Sequence, residues 1–522
     1  MIIKLKKGSA IAFMNKDIFY VDVKLVKLDR VLTNLFIKMY SNGKNLSPMF
    51  KKEYTIDILK GYLETIEKNG DMKGVKCNID AAEDWLRSSL LELVNRGNIV
   101  KEHVATLKPL HLLSFRVKND KICRDYRASD QLYLMLKSNP EVMEGLKKYL
   151  IKGWDERNNK IVTQEDLDVD TMGILYLTQN LKEKCKDNKD ADSLSTNIPA
   201  PFLKEQAALF NDDIRRLLLY KDKLPRSVFI DYLRILCGLH LALYAMKVIY
   251  LLPKMIEAGT REIKDDWSLI VDMTDNLSSP VSRYACEDME RIENGFRKYI
   301  RSTYMVNTIQ NRFSCNVDEA LKRLKENTGD QGFYEAKLEA IRDCLPKNDD
   351  KEFDQEDLKE MLSYFDEDDY FNQLVHVLEK SSLGNYQYRY LREFLDAVSM
   401  KNSSSMLMAD SRSKRHPRRG AMGSKLLETL VQLLVIYKRE DGKYATRSLS
   451  IDELANAIRE RYGLIINGIG VERFAEADVE MNSAFRLNMN AFKNKLRQIG
   501  FYTDLSDACN LQMIRPRYKF EE

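Results

Sequence analysis

Two aspartates give the chain its nearest approach to catalysis. Asp272 and Asp275 lie at the end of WSLIVDMTD, a short apolar run from Trp267 to Asp275 with a bulky, β-branched start. Acids at the carboxyl end of a buried strand can hold a divalent ion for phosphodiester cleavage, and Glu287, Asp288 or Glu290 downstream can add a further carboxylate. Against that reading, Asp275 and Asn276 are ordinary turn residues, and one strand flanked by helices matches a nuclease sheet poorly. No other catalytic pattern is present: there is no GxxxxGK followed by Ser or Thr, no GxGxxG after a strand, and no GxSxG, HExxH or paired Cys and His arrangement.

Metal and redox chemistry have little to build on. The eight cysteines, at 77, 123, 185, 237, 286, 315, 344 and 509, are nowhere closer than 29 residues, and His103 and His111 are the closest of the five histidines. Neither CxxC nor a zinc-type spacing exists, so reduced, mostly buried thiols are expected, with no metal and no cofactor.

The other chemistry open to this chain is phosphate contact. The run SRSKRHPRRG, residues 411 to 420, places Arg412, Lys414, Arg415, Arg418 and Arg419 within eight residues, and Pro417 with the flanking Ser and Gly predicts a loop. Cations of this kind release counterions from a nucleic-acid backbone, which yields affinity without sequence reading. A second group lies near the chain end. Lys493, Lys495 and Arg497 fall in the helical segment NAFKNKLRQIG, opposite an expected apolar stripe of Phe492, Leu496 and Ile499, and Arg515, Arg517 and Lys519 follow in a segment able to form a wing. A basic face is equally common on any soluble helix, and winged helices also serve as protein docking modules.

These residues need elements to position them. With 522 residues the chain holds about three or four domains at ~150 residues each. Its 44% hydrophobic and 31% charged residues fit a mainly α-helical, globular, multidomain protein with few strands and winged-helix-like modules near both ends. The expected divisions are residues 1–120, a mixed segment with helices and a small hairpin from NIVKEHV and LHLLSFRV; 121–185, helical and ending in a polar linker; 197–400, a central helical domain; 401–424, the basic loop; and 425–522, a winged-helix-like domain. In that last domain a helix from about Lys425 to Lys438, a strand at YATRS and a capping box of Ser450 with Glu453 precede an insertion of about 25 residues and the third helix. The apolar stretch from Ile235 to Leu252 contains His240 and Lys247, so it predicts a core helix rather than a membrane span. No signal-peptide pattern opens the chain, and a cytoplasmic location with no membrane partner is expected.

Charge is distributed unevenly. The 83 Lys and Arg against 79 Asp and Glu leave a net +4, yet Asp349 to Asp369 holds eleven acids against two lysines. The near-neutral total is a cancellation between this acidic stretch and the basic C-terminal part, so a local nucleic-acid contact remains compatible with it. The stretch lacks the alternating ligands and turn glycine of an EF-hand, and reads as a solvated acidic segment able to bind a partner or the chain's own basic loop.

Three C-terminal segments carry a family resemblance: GFYTDLSDACNLQMIRPRY, LLETLVQLLVIYK and SIDELANAIRERYGL. Together they resemble large proteins of bacterial anti-phage defence islands, nearest to accessory proteins of methylation-associated or phosphorothioation-dependent defence and restriction systems. Weaker similarity surrounds DYLRILCGLHLALYAMKVIYLLPKM. The resemblance brings no catalytic motif. It implies a cytosolic subunit working beside a separately encoded ATPase, methyltransferase or nuclease. Sequence and resemblance together point to a non-catalytic, DNA-associated accessory subunit, with a pure protein scaffold as the first alternative and a metal-dependent nuclease built on Asp272 and Asp275 as the second.

Overall fold

Long helices with one apolar stripe set the architecture, because each must bury that stripe against another. The computed structural model describes residues 3–5, 11–44, 46–48, 53–70, 73–98, 100–162, 167–179, 185–187, 194, 199–326, 328–347, 352–410, 417–502 and 513–520. Among these residues the chain is mainly α-helical, with strands only in small pairs. Of the expected polar linker at 184–197, Cys185–Asp187 pairs as a strand with Leu46–Pro48 and Leu194 is described, while the rest, and residues 411–416 of the basic loop, lie outside the described residues.

Contacts divide the chain into two units. One comprises residues 1–25, 242–427 and 449–515; the other comprises 26–241, 428–448 and 516–522. Residues 425–522, expected as one C-terminal domain, are thus distributed between both.

In the first unit the helix Pro280–Phe313 forms the spine, and Val317–Glu326, Tyr370–Lys380, Ser382–Val398 and Val479–Gln498 pack on it. Ser279 caps its first turn by accepting from the Ser282 N–H, with Pro280 following at the position where proline costs a helix nothing. The acidic stretch supplies caps as well. Asp354 and Asp357 form a capping box on Gln355–Leu362, and Asp369 caps Tyr370–Lys380, so part of its charge compensates helix amino ends.

The second unit centres on Leu28–Tyr40, packed against Ala128–Lys137 and the 3-10 turn Leu112–Arg116. Its hairpin pairs Leu91–Val94 with His103–Leu107. The expected pairing of NIVKEHV with LHLLSFRV is therefore corrected: the helix stops earlier, LELV becomes a strand, and LHLLSFR coils after Pro109. His111 fixes that coil. Its Nδ1 accepts from the Leu113 N–H, its Nε2 lies 3.2 Å from the Lys152 carbonyl, and Ser114 Oγ accepts from the His111 N–H. Burial, with Arg226 nearby, pushes the His111 pKa down to about 3. The folded state therefore holds a neutral ring, and the unfolded chain binds the extra proton as pH falls below about 6.5. Unfolding free energy should drop by about 2 kcal/mol between pH 7 and pH 5 through this group alone. Urea titrations of the wild type and His111→Gln at both pH values check it; equal pH dependence in the two proteins would refute the assignment.

The helix Arg226–Ala258 contributes residues to both units. It is long and apolar enough to cross a membrane, but 89% of its apolar window is buried within the protein. His240, fully buried, has Nε2 2.9 Å from Asp213 and Nδ1 2.9 Å from Gln206, the satisfied environment of a core histidine.

Candidate functional site

The apolar run at 267–275 does form a strand, and the first unit builds a small mixed sheet around it. Leu269–Ile270 pairs parallel with Leu464–Ile465. On its other side Asp272 bridges to Ala421 in parallel, and Arg419–Gly420 pairs antiparallel with Met408–Ala409. Gly420 is required here because a Cβ would lie 2.3 Å from the Ile270 carbonyl oxygen.

This sheet brings together two residues expected to act apart. Asp272 is completely buried, and its Oδ2 accepts from Arg419 Nε at 2.9 Å, an arginine only 6% exposed. The other oxygen, Oδ1, accepts from the Thr274 N–H at 2.8 Å and the Thr274 hydroxyl at 2.7 Å. Asp275 sits in the left-handed region with φ 53°, and its carboxylate pairs with Lys495 Nζ at 2.8 Å. Asp288, the further acid considered for a metal, accepts from the Ile270 N–H at 2.7 Å and pairs with Arg291 and Arg473. Each carboxylate thus already holds a cation or the strand backbone. Among the described residues, no three His, Cys, Asp or Glu side chains gather as a metal-ligand group.

Asn488, which sequence reasoning missed, links this sheet together. From the helix Val479–Gln498 its Nδ2 donates to the carbonyls of Val271 and Ile466, at 2.8 and 2.9 Å, and its Oδ1 accepts from the Met273 N–H at 2.8 Å. The available signal was positional: Asn488 occupies the same stripe as Ala484, Phe485, Phe492 and Leu496, all buried.

The basic residues separate into two groups. Arg418 is clamped by Asp396 at 2.7 and 2.6 Å and approaches Glu293 at 3.5 Å, while Lys401 joins Asp396 to Asp410. Arg418 and Arg419 are thus held within the fold, and Arg412, Lys414 and Arg415 lie outside the described residues. Lys495 turns inward to Asp275 and the Met422 carbonyl. It follows Phe492 by three residues, hence only ~60° around the helix from the apolar stripe, so the expectation that it faces away is corrected. In the second unit, Arg517 pairs with Glu428. By contrast Arg497 and Arg515 have exposed side chains, and the half-buried Lys493 places its ammonium 5.2 Å from the Tyr502 ring centroid.

The strands of the C-terminal segment do not confirm the expected winged-helix modules. Leu449–Ser450 pairs antiparallel with Met513–Ile514, and residues 503–512, where a wing was expected, lie outside the described residues. YATRS instead supplies Tyr444–Thr446, which forms a hairpin with Ile436–Lys438, and the expected 25-residue insertion gives way to a strand, a 3-10 turn and the start of a 20-residue third helix.

No curated protein matches the chain at a significant level. The family comparison is decisive over nearly the whole length: residues 9–518 match the family described as methylation-associated defense system protein MAD7, so the resemblance seen in the C-terminal segments extends far beyond them, and the chain belongs to that family.

Proposed function

We propose that this MAD7-family protein is a DNA-associated, non-catalytic subunit of a methylation-associated defence system, acting beside a separately encoded ATPase, methyltransferase or nuclease. The observation that carries the reading is the exposure of Arg497, in the last turn of Val479–Gln498, and of Arg515, on either side of the expected wing position. Arg412, Lys414 and Arg415 add three cations by sequence. A non-catalytic role is supported by the commitment of Asp272, Asp275 and Asp288 to cations and backbone, and the nuclease alternative is not carried further on those residues. The cytoplasm suits such a role.

Binding of the full chain to a random-sequence duplex, measured against salt, tests it. Affinity should fall steeply with salt, and changing Arg412, Lys414, Arg415, Lys493, Arg497 and Arg515 to Ala should lower the slope of log Kd against log salt by up to about five, at ~0.9 per lost phosphate contact. Absence of binding at low salt, or an unchanged slope, would sink the proposal. Arg418, Arg419, Lys495 and Arg517 are omitted because their substitution would report lost ion pairs.

A scaffold role is the second reading, favoured by Tyr364, which is 88% exposed beside the acids Asp366 to Asp369. It predicts a co-purifying subunit from the native host; a strictly lone protein would count against it.

A further inference from the structure

The full extent of the third helix changes what its outer face offers. Val479–Gln498 runs for 20 residues, capped by Asp478, whose side chain accepts from the Met481 N–H at 2.7 Å. From Met481 to Gln498 it carries Arg486, Lys493, Lys495 and Arg497 and no acidic residue. Cations in the last turn answer the helix dipole, which accounts for Lys495 and Arg497 but not for Arg486, which lies in the first half of the helix.

At ~100° per residue, Arg486, Asn490, Asn494 and Arg497 fall within an arc of about 80° on the side opposite Asn488 and Phe492. All four are exposed, whereas Ala484, Phe485, Asn488, Phe492 and Leu496 are buried. Arg497 donates to Asn494 Oδ1 at 3.0 Å, a contact within the stripe itself. Beside it Leu487 is 47% exposed, an apolar side chain on a polar face.

This composition is chemically specific. Arginine pairs with the O6 and N7 acceptors of guanine, asparagine with N6 and N7 of adenine, and a small apolar group with the thymine methyl, all in the major groove. The groove is about 12 Å wide and admits one α-helix. Arg486 to Arg497 spans eleven residues, or ~16 Å along the axis, enough to follow about five base pairs.

We propose that the helix Val479–Gln498 enters the major groove of duplex DNA and reads base edges through Arg486, Asn490 and Asn494, with Arg497 on the backbone beside them, making the binding sequence-selective. The inference rests on the duplex binding proposed above, and adds to it Arg486 and the uncharged Asn490 and Asn494, none of which that binding used.

The test uses the full chain and a pool of duplexes with a randomised core, selected for binding and sequenced. Enriched duplexes should share a short motif of adenines and guanines and bind about tenfold or more tighter than shuffled controls. Asn490→Ala and Asn494→Ala, both at exposed helix positions, should each erase most of that ratio while leaving the salt slope unchanged; Arg486→Ala should erase it too. Three results would overturn the inference while leaving general DNA association standing: duplex binding with no enriched motif, a motif whose preference survives all three substitutions, or tighter binding to single strands. If no duplex binds even at low salt, the underlying reading fails with it. Release of a co-purifying protein by these substitutions, with duplex binding intact and unselective, would assign the face to a protein partner and overturn the inference as well.

Discussion

Arg419→Leu lowers the unfolding free energy by about 3–5 kcal/mol, the expected cost of leaving a buried carboxylate without its cation. The magnitude follows from burial: Asp272 is 0% exposed and Arg419 6%, so solvent cannot replace the missing partner. The pair itself need not be worth that much. Two ions withdrawn from water pay a desolvation penalty that nearly offsets their attraction, so Asp272→Leu combined with Arg419→Leu should recover much of the loss. Trp267, 4% exposed and just upstream of the strand, is one of three tryptophans and reports locally by fluorescence during urea unfolding. A single-variant loss below about 1 kcal/mol, the range of an exposed pair, would show that the pair is hydrated in solution.

Asn488→Ala should be comparably damaging, by about 3–5 kcal/mol. Three buried backbone groups lose their partner at once: the carbonyls of Val271 and Ile466 and the N–H of Met273. Each unsatisfied buried group costs about 1–3 kcal/mol. Asn488→Asp sharpens the test, since it keeps the acceptor for Met273 but has no donor for the two carbonyls. It should fall no closer to the wild type than Ala does. Amide exchange at Met273 should accelerate in the Ala variant; exchange and urea midpoint both unchanged would refute the role given to Asn488.

Local signals in the sequence were reliable where one short segment sufficed. Ser450 and Glu453 form the expected capping box, with reciprocal bonds of 3.1 and 2.7 Å, and Gly463 ends that helix at φ 71°. The apolar run at Leu269 is a buried strand, and the stretch from Ile235 is a core helix. Legibility ended where meaning depends on distant partners. Parallel pairing of Leu269–Ile270 with Leu464–Ile465 leaves no mark in either segment, and neither does the meeting of Asp272 with Arg419. Both residues were singled out, one as a metal ligand and one as a phosphate contact, because each was weighed without the other. The third helix was read too short for a different reason. Four asparagines between 482 and 494 lower its intrinsic helix preference, and only burial of Ala484, Phe485, Phe492 and Leu496 secures it.

The discontinuous second unit also constrains how the protein is made. Tyr220 packs edge-on against Phe520 at 4.9 Å between ring centroids and donates its hydroxyl proton to the Gln432 carbonyl. Those partners leave the ribosome long after Tyr220 does: at about 5–20 residues per second, Phe520 follows it by roughly 15–60 s. During that interval the nascent chain carries an apolar surface with nothing of its own to cover it. Completion of this unit therefore waits for segments made long after its first part, and a chaperone bound to the waiting surface would set the yield of folded protein before any stability measured on the finished molecule comes into play.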